Sequence, residues 1–359
     1  MIDVIIPTYK AHGTLFRALS SLSSQVISDK VEVTVVNDCC PEGNYKDIIK
    51  RFRPYLKIKE IQTPKNGGPG LARQYGIEHT HNPYIVFLDA DDMLGDGLSL
   101  RAMLQAMELK ENYPCAMGMF IEELDQGKTL QHEPTLGWVH GKIFRRSFLE
   151  KNGIKFNSTR SCEDFGFNSK VFAIAGEEKM FNIGAFVYVW TNGENTIARI
   201  NKSQYRYDQC FRGMLENNID TLKFMEKHKV DYTKREQHVV TTLIEAFFLY
   251  NEVLANAPDF NEQSWYYCRK YYHYCKKYID KLTPDKLLEM SNSYLTQESA
   301  KGHPVQCLHT ITLLDFVKHL QDASFHEEEI NAIVQNLPKE LVDNIKKVGN
   351  YDENIYKWE

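Results

Sequence analysis

Several acidic residues follow an apolar run directly, in the segment Asp89-Ala90-Asp91-Asp92 after Tyr84–Leu88. Carboxylates that are crowded at the end of a strand repel one another, and a hard divalent cation such as Mg²⁺ or Mn²⁺ relieves that repulsion. Such a cation can bridge to a diphosphate and stabilise the negative charge that develops on a leaving nucleoside diphosphate. A bare Asp-x-Asp tripeptide is usually a solvated acidic turn, so this interpretation depends on the neighbouring motifs.

A glycine-rich segment, Asn66-Gly67-Gly68-Pro69-Gly70, precedes a helical pattern that contains Arg73. A glycine-rich turn that opens a helix presents backbone N–H groups and the positive end of the helix dipole to an anion. Arg73 would add a cation near a phosphate, whereas an ordinary loop with a surface arginine is the simpler alternative. The segment is neither a Walker loop nor a Gly-x-Gly-x-x-Gly fingerprint.

The ends of two other predicted strands offer groups for a nucleobase. Pro7, Thr8 and Tyr9 close the first strand, and Asp38 follows the second. A carboxylate in that position can accept the imide N–H of uracil, and a tyrosine ring offers a surface for stacking on a base. Taken alone, Tyr9 would be interpreted as a packing residue.

Two further groups concern the acceptor side of a transfer reaction. Glu163-Asp164 could supply the base that takes a proton from an acceptor hydroxyl, although an isolated pair of this kind is usually a charge pair at a helix N-terminus. Trp138 and His140, in the segment 137–141, together with Trp190 after a predicted strand, could form an acceptor platform because tryptophan stacks on sugar faces. A buried tryptophan is an equally good alternative for Trp138.

The scaffold that positions these residues is predicted from the alternation of strand and helix patterns over the first hundred residues. This alternation predicts an α/β fold with a mostly parallel central sheet, in which ligands gather beyond the carboxyl ends of the strands. Beyond about residue 203 the strand patterns end and long helical patterns take over. We therefore expect a catalytic domain over 1–202, with a donor half to about 100 and an acceptor half over 101–202, and an all-α domain over 203–359.

Composition limits the alternatives for this chain of 359 residues. Its net charge of −5 argues against broad electrostatic binding to nucleic acid, and none of its eight cysteines forms a Cys-x-x-Cys pair, which argues against a zinc site. The sequence contains no apolar run of about 18 residues and no signal-peptide pattern, so we expect no integral membrane segment and a cytoplasmic location.

The motifs occur in the order VIIPTYKAHGTLFRALSSL, VVNDCCPEG, NGGPGLARQYGI, IVFLDADD and GKIFRRSFLEKNGIKFNSTRSCEDFGF. Over about residues 1–200 this series resembles the inverting glycosyltransferases of family 2, which have a GT-A fold. Each motif alone is weak, but the collinear set is specific. The resemblance implies a Rossmann-like GT-A domain that carries out a single displacement at the anomeric carbon of a nucleotide sugar.

The resemblance also implies a role for each candidate residue. Pro7, Thr8, Tyr9 and Asp38 would hold the nucleobase, with Asp38 facing uracil, while Asn66, Gly67 and Arg73 would lie near the nucleoside and diphosphate. Asp89 would contact the ribose or order the site, Asp91 would bind Mn²⁺ or Mg²⁺, Asp164 would be the catalytic base, and Glu163 would hold the acceptor or the base. Where many relatives carry His or Arg after the strand ending at Trp190, this chain has Thr191-Asn192-Gly193, so Asn192 or Arg199 is the expected substitute.

The leading hypothesis is therefore a metal-dependent transfer of a hexose or pentose from a UDP-sugar to a hydroxyl of a glycan, an envelope polymer or a hydroxymethylated base of phage DNA. Hydroxymethylated DNA is suggested as an acceptor by the extra helical domain, with its aromatic and basic segment 265–277, and by a resemblance to phage-type glycosyltransferases. For a phage-encoded protein the expected location is the host cytoplasm. The C-terminal helices are also a candidate homo-oligomer interface. Two alternatives remain open, a nucleotidyltransferase that releases pyrophosphate and a binding module without turnover.

Overall fold

The computed structural model describes residues 1–135, 137–192, 204–256, 262–290, 292 and 313–322. The chain divides into two units, Met1–Arg235 and Glu236–Glu359. The domain boundary expected after residue 202 stays a prediction. Among the described residues, no helix is long and apolar enough to cross a membrane.

The first unit alternates strands and helices, as the sequence pattern predicts. Its elements are β1 (Ile2–Thr8), α1 (Leu15–Ser23), β2 (Val31–Asn37), α2 (Lys46–Phe52), β3 (Lys57–Gln62), α3 (Pro69–Glu78), β4 (Tyr84–Phe87), β5 (Met93–Leu94), α4 (Ser99–Leu109), β6 (Cys115–Glu123), β7 (Thr129–His132), β8 (Lys142–Arg145), α5 (Arg146–Asn152), α6 (Glu163–Ala175), β9 (Met180–Trp190) and α7 (Gln204–Lys227). Helix α8 (Tyr232–Asn256) runs into the second unit, which also contains α9 (Glu262–Ile279) and helical residues at 284–290 and 313–322.

The described strands form one sheet in the order β3-β2-β1-β4-β8-β6-β9-β5, and β7 pairs with β6. The four N-terminal strands are parallel, whereas β8 pairs antiparallel with both β4 and β6. An α/β fold followed by helices is therefore confirmed. The parallel part is the donor half of the sequence, and the acceptor half is mixed because short connections allow its strands to reverse.

The strand register places the candidate residues at one edge of the sheet. Thr8 at the end of β1 lies opposite Asn37 at the end of β2, and Ile5 lies opposite Phe87 at the end of β4. Parallel strands that are aligned in this way end at the same edge, so the residues that follow them share that edge. The segments after β1, β2 and β4 are the ones that carry Tyr9, Asp38 and Asp89.

Along β1, β2 and β4 both faces of the sheet are buried, which explains the apolar runs in these strands. Along β1, Val4 and Ile6 face one apolar core and Ile5 faces the other. The second core contains Phe87 of β4 and Phe167 of α6, whose ring centroids are 6.1 Å apart. This contact fixes α6, and with it the acidic pair at its first turn, beneath the strand ends.

Helix α7 packs against α6 at a glycine. A Cβ atom on Gly166 would lie 2.9 Å from the Cβ atom of Asn217, so only glycine allows this approach. The Asn217 amide donates hydrogen bonds to Thr159 Oγ1 at 2.7 Å and to the Ser161 carbonyl at 3.2 Å. Helix α7 therefore fixes the segment that leads into Glu163, and it lies in the first unit.

We expect Gly166→Ala to lower the free energy of unfolding by about 1–3 kcal/mol, because the added methyl group must displace Asn217. This loss should exceed the roughly 1 kcal/mol that alanine gains over glycine in a helix. Urea denaturation measures the difference. The control is Gly13→Ala, where a Cβ would meet nothing within 4 Å. Equal stability of the two variants would show that the α6–α7 contact does not need glycine.

Candidate active site

A buried arginine connects three carboxylates at the centre of the site. Arg73 is 3% exposed, and its Nη1 donates to Glu163 Oε1 at 2.9 Å and to Asp164 Oδ1 at 2.7 Å. Its Nη2 donates to Asp89 Oδ1 at 2.7 Å. The structure thus brings together the carboxylate that follows β4 and the acidic pair of α6. Arg73 is bound to these carboxylates, and its expected place near a diphosphate stays a prediction.

The glycine-rich segment makes this arrangement possible. Gly68 has a φ of 84°, a left-handed conformation that favours glycine, and Pro69 then begins α3. A Cβ atom on Gly70 would lie 2.8 Å from Glu163 Cγ, so the missing side chain allows α3 and α6 to approach closely. The Arg73 guanidinium can therefore reach both carboxylates of α6.

Burial makes the acidic pair of α6 unusually basic for carboxylates. It raises the pKa of Glu163 to about 7, with a further increase from the charge of Asp164, while Arg73 opposes both effects. The pKa of Asp164 is also raised by burial, against the effects of Arg73 and of the Val139 N–H, which donates to Asp164 Oδ2 at 3.1 Å. A carboxylate with a raised pKa is a better proton acceptor, as a general base requires.

The strand-end acidic segment is attached to the end of β9. Asp92 is 3% exposed, and its two oxygens accept hydrogen bonds from the Tyr188 hydroxyl at 2.6 Å and the Thr191 N–H at 2.9 Å. The carbonyl of Asp91 accepts hydrogen bonds from the Arg17 guanidinium and the Thr191 hydroxyl. These contacts fix the backbone that carries the predicted metal-binding carboxylates.

The carboxylates of this segment lie within electrostatic reach of one another. Burial, followed by the charge of Asp89, raises the pKa of Asp91. Burial, followed by the charges of Asp89 and Asp91, raises the pKa of Asp92 well above its usual value. Each of these groups would be stabilised in its charged form by a cation, so the segment has the electrostatic character of a cation site.

A possible ligand set for a metal ion lies in the same place. One atom from each of Asp89, Asp92 and His140 lies within 4.8 Å of the others, a spacing that suits a divalent ion. Asp91 does not belong to this set, so its role as a metal ligand stays a prediction. A second such group, His12, Cys40 and Glu42, lies at the surface, where His12 Nδ1 is already 3.1 Å from Glu42 Oε2.

The predicted nucleobase residues meet at one edge but differ in availability. Tyr9 is 47% exposed, so its ring is open to stacking. Thr8 is buried, and its hydroxyl donates to the Val36 carbonyl, while Pro7 is half-buried. Of these three side chains, the Tyr9 ring is therefore the one that is open to a ligand.

Asp38 is bound to the glycine-rich segment. Its carboxylate oxygens accept hydrogen bonds from the Thr63 hydroxyl at 2.8 Å and from the N–H groups of Gly67 and Gly68, the latter at 2.7 Å. The Asn66 amide donates to the Asp38 carbonyl, and Asn66 Oδ1 is buried without a hydrogen bond to any described residue. Asp38 thus orders this loop, and its contact with uracil stays a prediction.

Aromatic side chains stack beside the acidic segment. The rings of Trp138 and Trp190 are half-buried and 5.7 Å apart. His140 stacks on Tyr188 with a centroid distance of 4.5 Å. With an exposed fraction of 7%, His140 lies beneath the surface, so its position gives no support to the predicted acceptor contact.

Three residues of the site have no assigned role in the sequence interpretation. Arg17 and Tyr188 bind the acidic segment, as described above. Lys142 is buried, its Nζ donates to the Trp138 carbonyl, and burial lowers its pKa to about 8. The sequence contained a signal for Lys142, because a charged residue beside the apolar residues of β8 indicates a buried charge. Arg17 gives no such signal, because a basic residue in an amphipathic helix is usually solvated.

Asn192 and Arg199 are the residues expected to replace the His or Arg that many relatives carry after β9. The Asn192 amide donates to Asp125 Oδ1 at 2.8 Å, and its N–H donates to Glu123 Oε2 at 3.2 Å. These contacts direct Asn192 toward the β6–β7 hairpin. Arg199 lies outside the described residues.

Parallel strands that end in acidic residues, joined through Arg73 to a carboxylate pair on a later helix, define a GT-A-type glycosyltransferase domain. Residues 3–163 match the family model described as glycosyl transferase family 2. Over these residues the chain is similar to family 2 glycosyltransferases, which supports the resemblance expected from the sequence.

Known relatives share this part of the chain. The poly(ribitol-phosphate) beta-N-acetylglucosaminyltransferase TarS of Staphylococcus aureus is 26% identical over 200 residues, which are 52% of this chain and 35% of that protein. The poly(ribitol-phosphate) beta-glucosyltransferase of Bacillus spizizenii is 25% identical over 241 residues, which are 62% of this chain and 37% of that protein. The aligned region thus spans about a third of the length of these two relatives.

A solved structure supports the fold. The crystal structure of S. aureus TarS residues 1–349, in complex with UDP-GlcNAc, superposes with a TM-score of 0.50 and 20% sequence identity. The superposition covers 82% of this chain and 92% of that one. At this level of identity the similarity establishes a shared GT-A-like fold.

We expect Arg73→Met to destabilise the chain by about 3 kcal/mol or more near pH 8, because Asp89, Glu163 and Asp164 lose their shared buried cation. The loss should be smaller near pH 5.5. Without the cation, the pKa values of Glu163 and Asp164 rise further above those of the unfolded chain. The folded variant then binds more protons than the unfolded chain, so its stability falls as the pH rises.

Urea denaturation at the two pH values measures this difference. Arg145→Met is the matched control, because the Arg145 guanidinium donates to backbone carbonyls, including those of Met107 and Tyr113, and to the Tyr84 hydroxyl. Its destabilisation should not depend on pH over this range. A pH-independent loss for Arg73→Met would contradict the shared-cation account.

Proposed function

We propose that this chain transfers a sugar from a UDP-sugar to a hydroxyl group of a cell-envelope polymer, with inversion of the anomeric centre and with a divalent cation. The observation that carries this proposal is the Arg73 contact, which places Asp164 beside Asp89 at the end of β4. A group that can take a proton thereby lies next to groups that can hold the cation of a diphosphate. The names of the relatives, which act on poly(ribitol-phosphate), support a polymer acceptor.

The cation would be Mn²⁺ or Mg²⁺, held at the strand-end acidic segment. When bound, it would neutralise charge on the diphosphate leaving group. The carboxylates of Asp89, Asp91 and Asp92 are crowded, and burial together with the charge of Asp89 raises the pKa values of Asp91 and Asp92, so the segment fits such an ion. Asp91 is half-buried and follows Asp89 by two residues, so it would be a further candidate to hold the ion.

Asp164 is the proposed general base. A single displacement requires that a proton leave the acceptor hydroxyl as its oxygen attacks the anomeric carbon. Asp164 Oδ1 is held by Arg73 and Oδ2 by the Val139 N–H, so the carboxylate is fixed in orientation before any acceptor binds. Glu163, on the other side of Nη1, fixes the guanidinium and so acts on the base indirectly.

The donor base would stack on the exposed ring of Tyr9, beside the loop ordered by Asp38. The Asp38 carboxylate already accepts hydrogen bonds from the N–H groups of Gly67 and Gly68. Oδ1 accepts from the Thr63 hydroxyl and Oδ2 from the Gly68 N–H, and the Gly67 N–H is shared between the two oxygens, so a uracil imide would replace one of these donors. The exposed ring of Tyr9 is the feature that supports binding of the donor base at this edge.

We expect Asp164→Asn to lower the transfer rate by about 10²- to 10⁴-fold, because the amide cannot accept the proton, while donor affinity is retained. Asp91→Ala should also abolish transfer and should in addition weaken the Mn²⁺-dependent binding of the donor. Asp47→Asn, an exposed change on α2, is the control. A panel of nucleotide sugars with Mn²⁺ measures release of the nucleoside diphosphate, and calorimetry measures donor binding.

The product of the same assay separates the candidate reactions. Free UDP supports glycosyl transfer, whereas pyrophosphate would identify a nucleotidyltransferase. Donor binding without release of either product would identify a binding module. Full activity of Asp164→Asn would remove this residue from the mechanism.

The acceptor would lie against Trp138 and Trp190, whose rings are 5.7 Å apart beside the acidic segment. We expect Trp190→Ala to raise the acceptor KM about five- to tenfold, since an aromatic contact of this kind contributes roughly 1 kcal/mol. Slow hydrolysis of the donor in the absence of acceptor should be unchanged. Tyr55→Ala, at an exposed tyrosine after α2, is the control. A poly(ribitol-phosphate) polymer and hydroxymethylated DNA, tested in parallel, identify the acceptor class, and an unchanged KM for both would exclude Trp190 from acceptor binding.

A further inference from the structure

His140 is a buried side chain for which the proposed reaction gives no role. Its exposed fraction is 7%, and its Nε2 atom is buried without a hydrogen bond to any described residue. A buried polar atom that lacks a partner costs about 1–3 kcal/mol, so such an atom needs an explanation. The sequence interpretation placed His140 at the acceptor surface, which its burial does not support.

The surroundings of His140 hold its ring in one orientation. A neutral imidazole has one ring nitrogen with a free lone pair, which is the form that binds metal ions. The ring is fixed between Tyr188, at 4.5 Å, and Trp138, at 5.6 Å, with interplanar angles of 10° and 11°.

The two carboxylates beside His140 retain capacity for a ligand. Asp89 uses Oδ1 for Arg73, and no described residue donates a hydrogen bond to its Oδ2. Asp92 Oδ1 accepts from the Thr191 N–H at 2.9 Å and from the Thr191 hydroxyl at 3.4 Å, whereas Oδ2 accepts one hydrogen bond, from the Tyr188 hydroxyl, and retains a second lone pair. These hydrogen bonds also fix the Asp92 carboxylate, as outer contacts do around bound metal ions.

We propose that His140 supplies a nitrogen ligand, together with oxygen ligands from Asp89 and Asp92, to the divalent cation of this site. The proposal rests on the proposed function only for the role of the ion in the reaction, and the choice of ligands does not depend on that function. Its geometric basis is the ligand set, whose three atoms lie within 4.8 Å of one another, and the unpartnered buried nitrogen.

A nitrogen ligand changes which cation the site prefers. Carboxylates and water suit Mg²⁺ and Mn²⁺ alike, whereas an imidazole favours transition metals. The site should therefore bind Mn²⁺ more tightly than Mg²⁺, and the preference should depend on His140. A site formed by the carboxylates alone would lack this dependence.

The test uses Mn²⁺ alone as the probe, with the full chain and no nucleotide sugar. Pulsed electron paramagnetic resonance detects a nitrogen atom bound to Mn²⁺, and incorporation of ¹⁵N-histidine changes that signal only if the nitrogen belongs to a histidine. We expect the histidine signal in the wild-type chain and its loss in His140→Phe, which retains a flat ring. The dissociation constant for Mn²⁺ should rise at least about tenfold, and that for Mg²⁺ should change less.

His132→Phe is the matched control. His132 belongs to the same group of rings, since it stacks on Phe120 at 4.5 Å, but its Nε2 is 2.8 Å from Glu122 and it is not in the ligand set. This variant should retain the nitrogen signal and bind Mn²⁺ within about twofold of the wild-type affinity. His140→Gln provides a second variant if the phenylalanine fails to fold, and the wild-type isotope experiment gives a result without any variant.

Three results would overturn the proposal. One is bound Mn²⁺ without a histidine signal in the wild-type chain, and another is a signal that persists in both variants at position 140. The third is loss of the signal in His12→Ala, which would place the ion at the surface group of His12, Cys40 and Glu42. Release of UDP without a histidine signal would refute this ligand set and leave the proposed transfer intact. A histidine signal without any release of UDP would support the ligand set and refute the proposed transfer.

Discussion

The ion pairs of the buried guanidinium of Arg73 determine the arrangement of the site. A charged group that is 3% exposed is tolerated only when its partners compensate for the lost hydration, and three carboxylates do so here. The partners come from two distant parts of the chain, the end of β4 and the start of α6. The interaction therefore joins the parallel half of the sheet to the helix that carries the proposed base.

The same interaction explains why the acidic groups differ from one another. Asp89 forms an ion pair with Arg73, whereas burial and then the charge of Asp89 raise the pKa values of Asp91 and Asp92. A divalent ion held by these carboxylates would stabilise the charged forms of Asp91 and Asp92.

The strand ends were predictable from the sequence because the register of parallel strands is a local consequence of alternating strands and helices. Tyr9, Asp38 and Asp89 reach one edge for that reason. The position of Asp164 depends instead on how α6 packs, which no spacing along the chain specifies. The resemblance to a family supplied its role, and the structure supplied its contact with Arg73.

The environments of individual side chains were not predictable. A glycine-rich turn followed by arginine suggests an exposed anion site, but Gly70 lets α6 approach, and the arginine is buried against carboxylates. His140 lies in a segment with a tryptophan, which suggests a surface, yet its ring is 7% exposed and lies beneath that surface. Such differences follow from packing between elements far apart in sequence.

The packing of α7 on α6 has a consequence for how the catalytic fragment can be isolated. A truncation at residue 202 would follow the change in sequence pattern, but it would remove Asn217, whose amide binds the segment before Glu163. It would also expose the face of α6 around Gly166, and the segment before α6 would lose the hydrogen bonds that Asn217 donates to it. The smallest autonomous catalytic piece of this chain therefore includes α7.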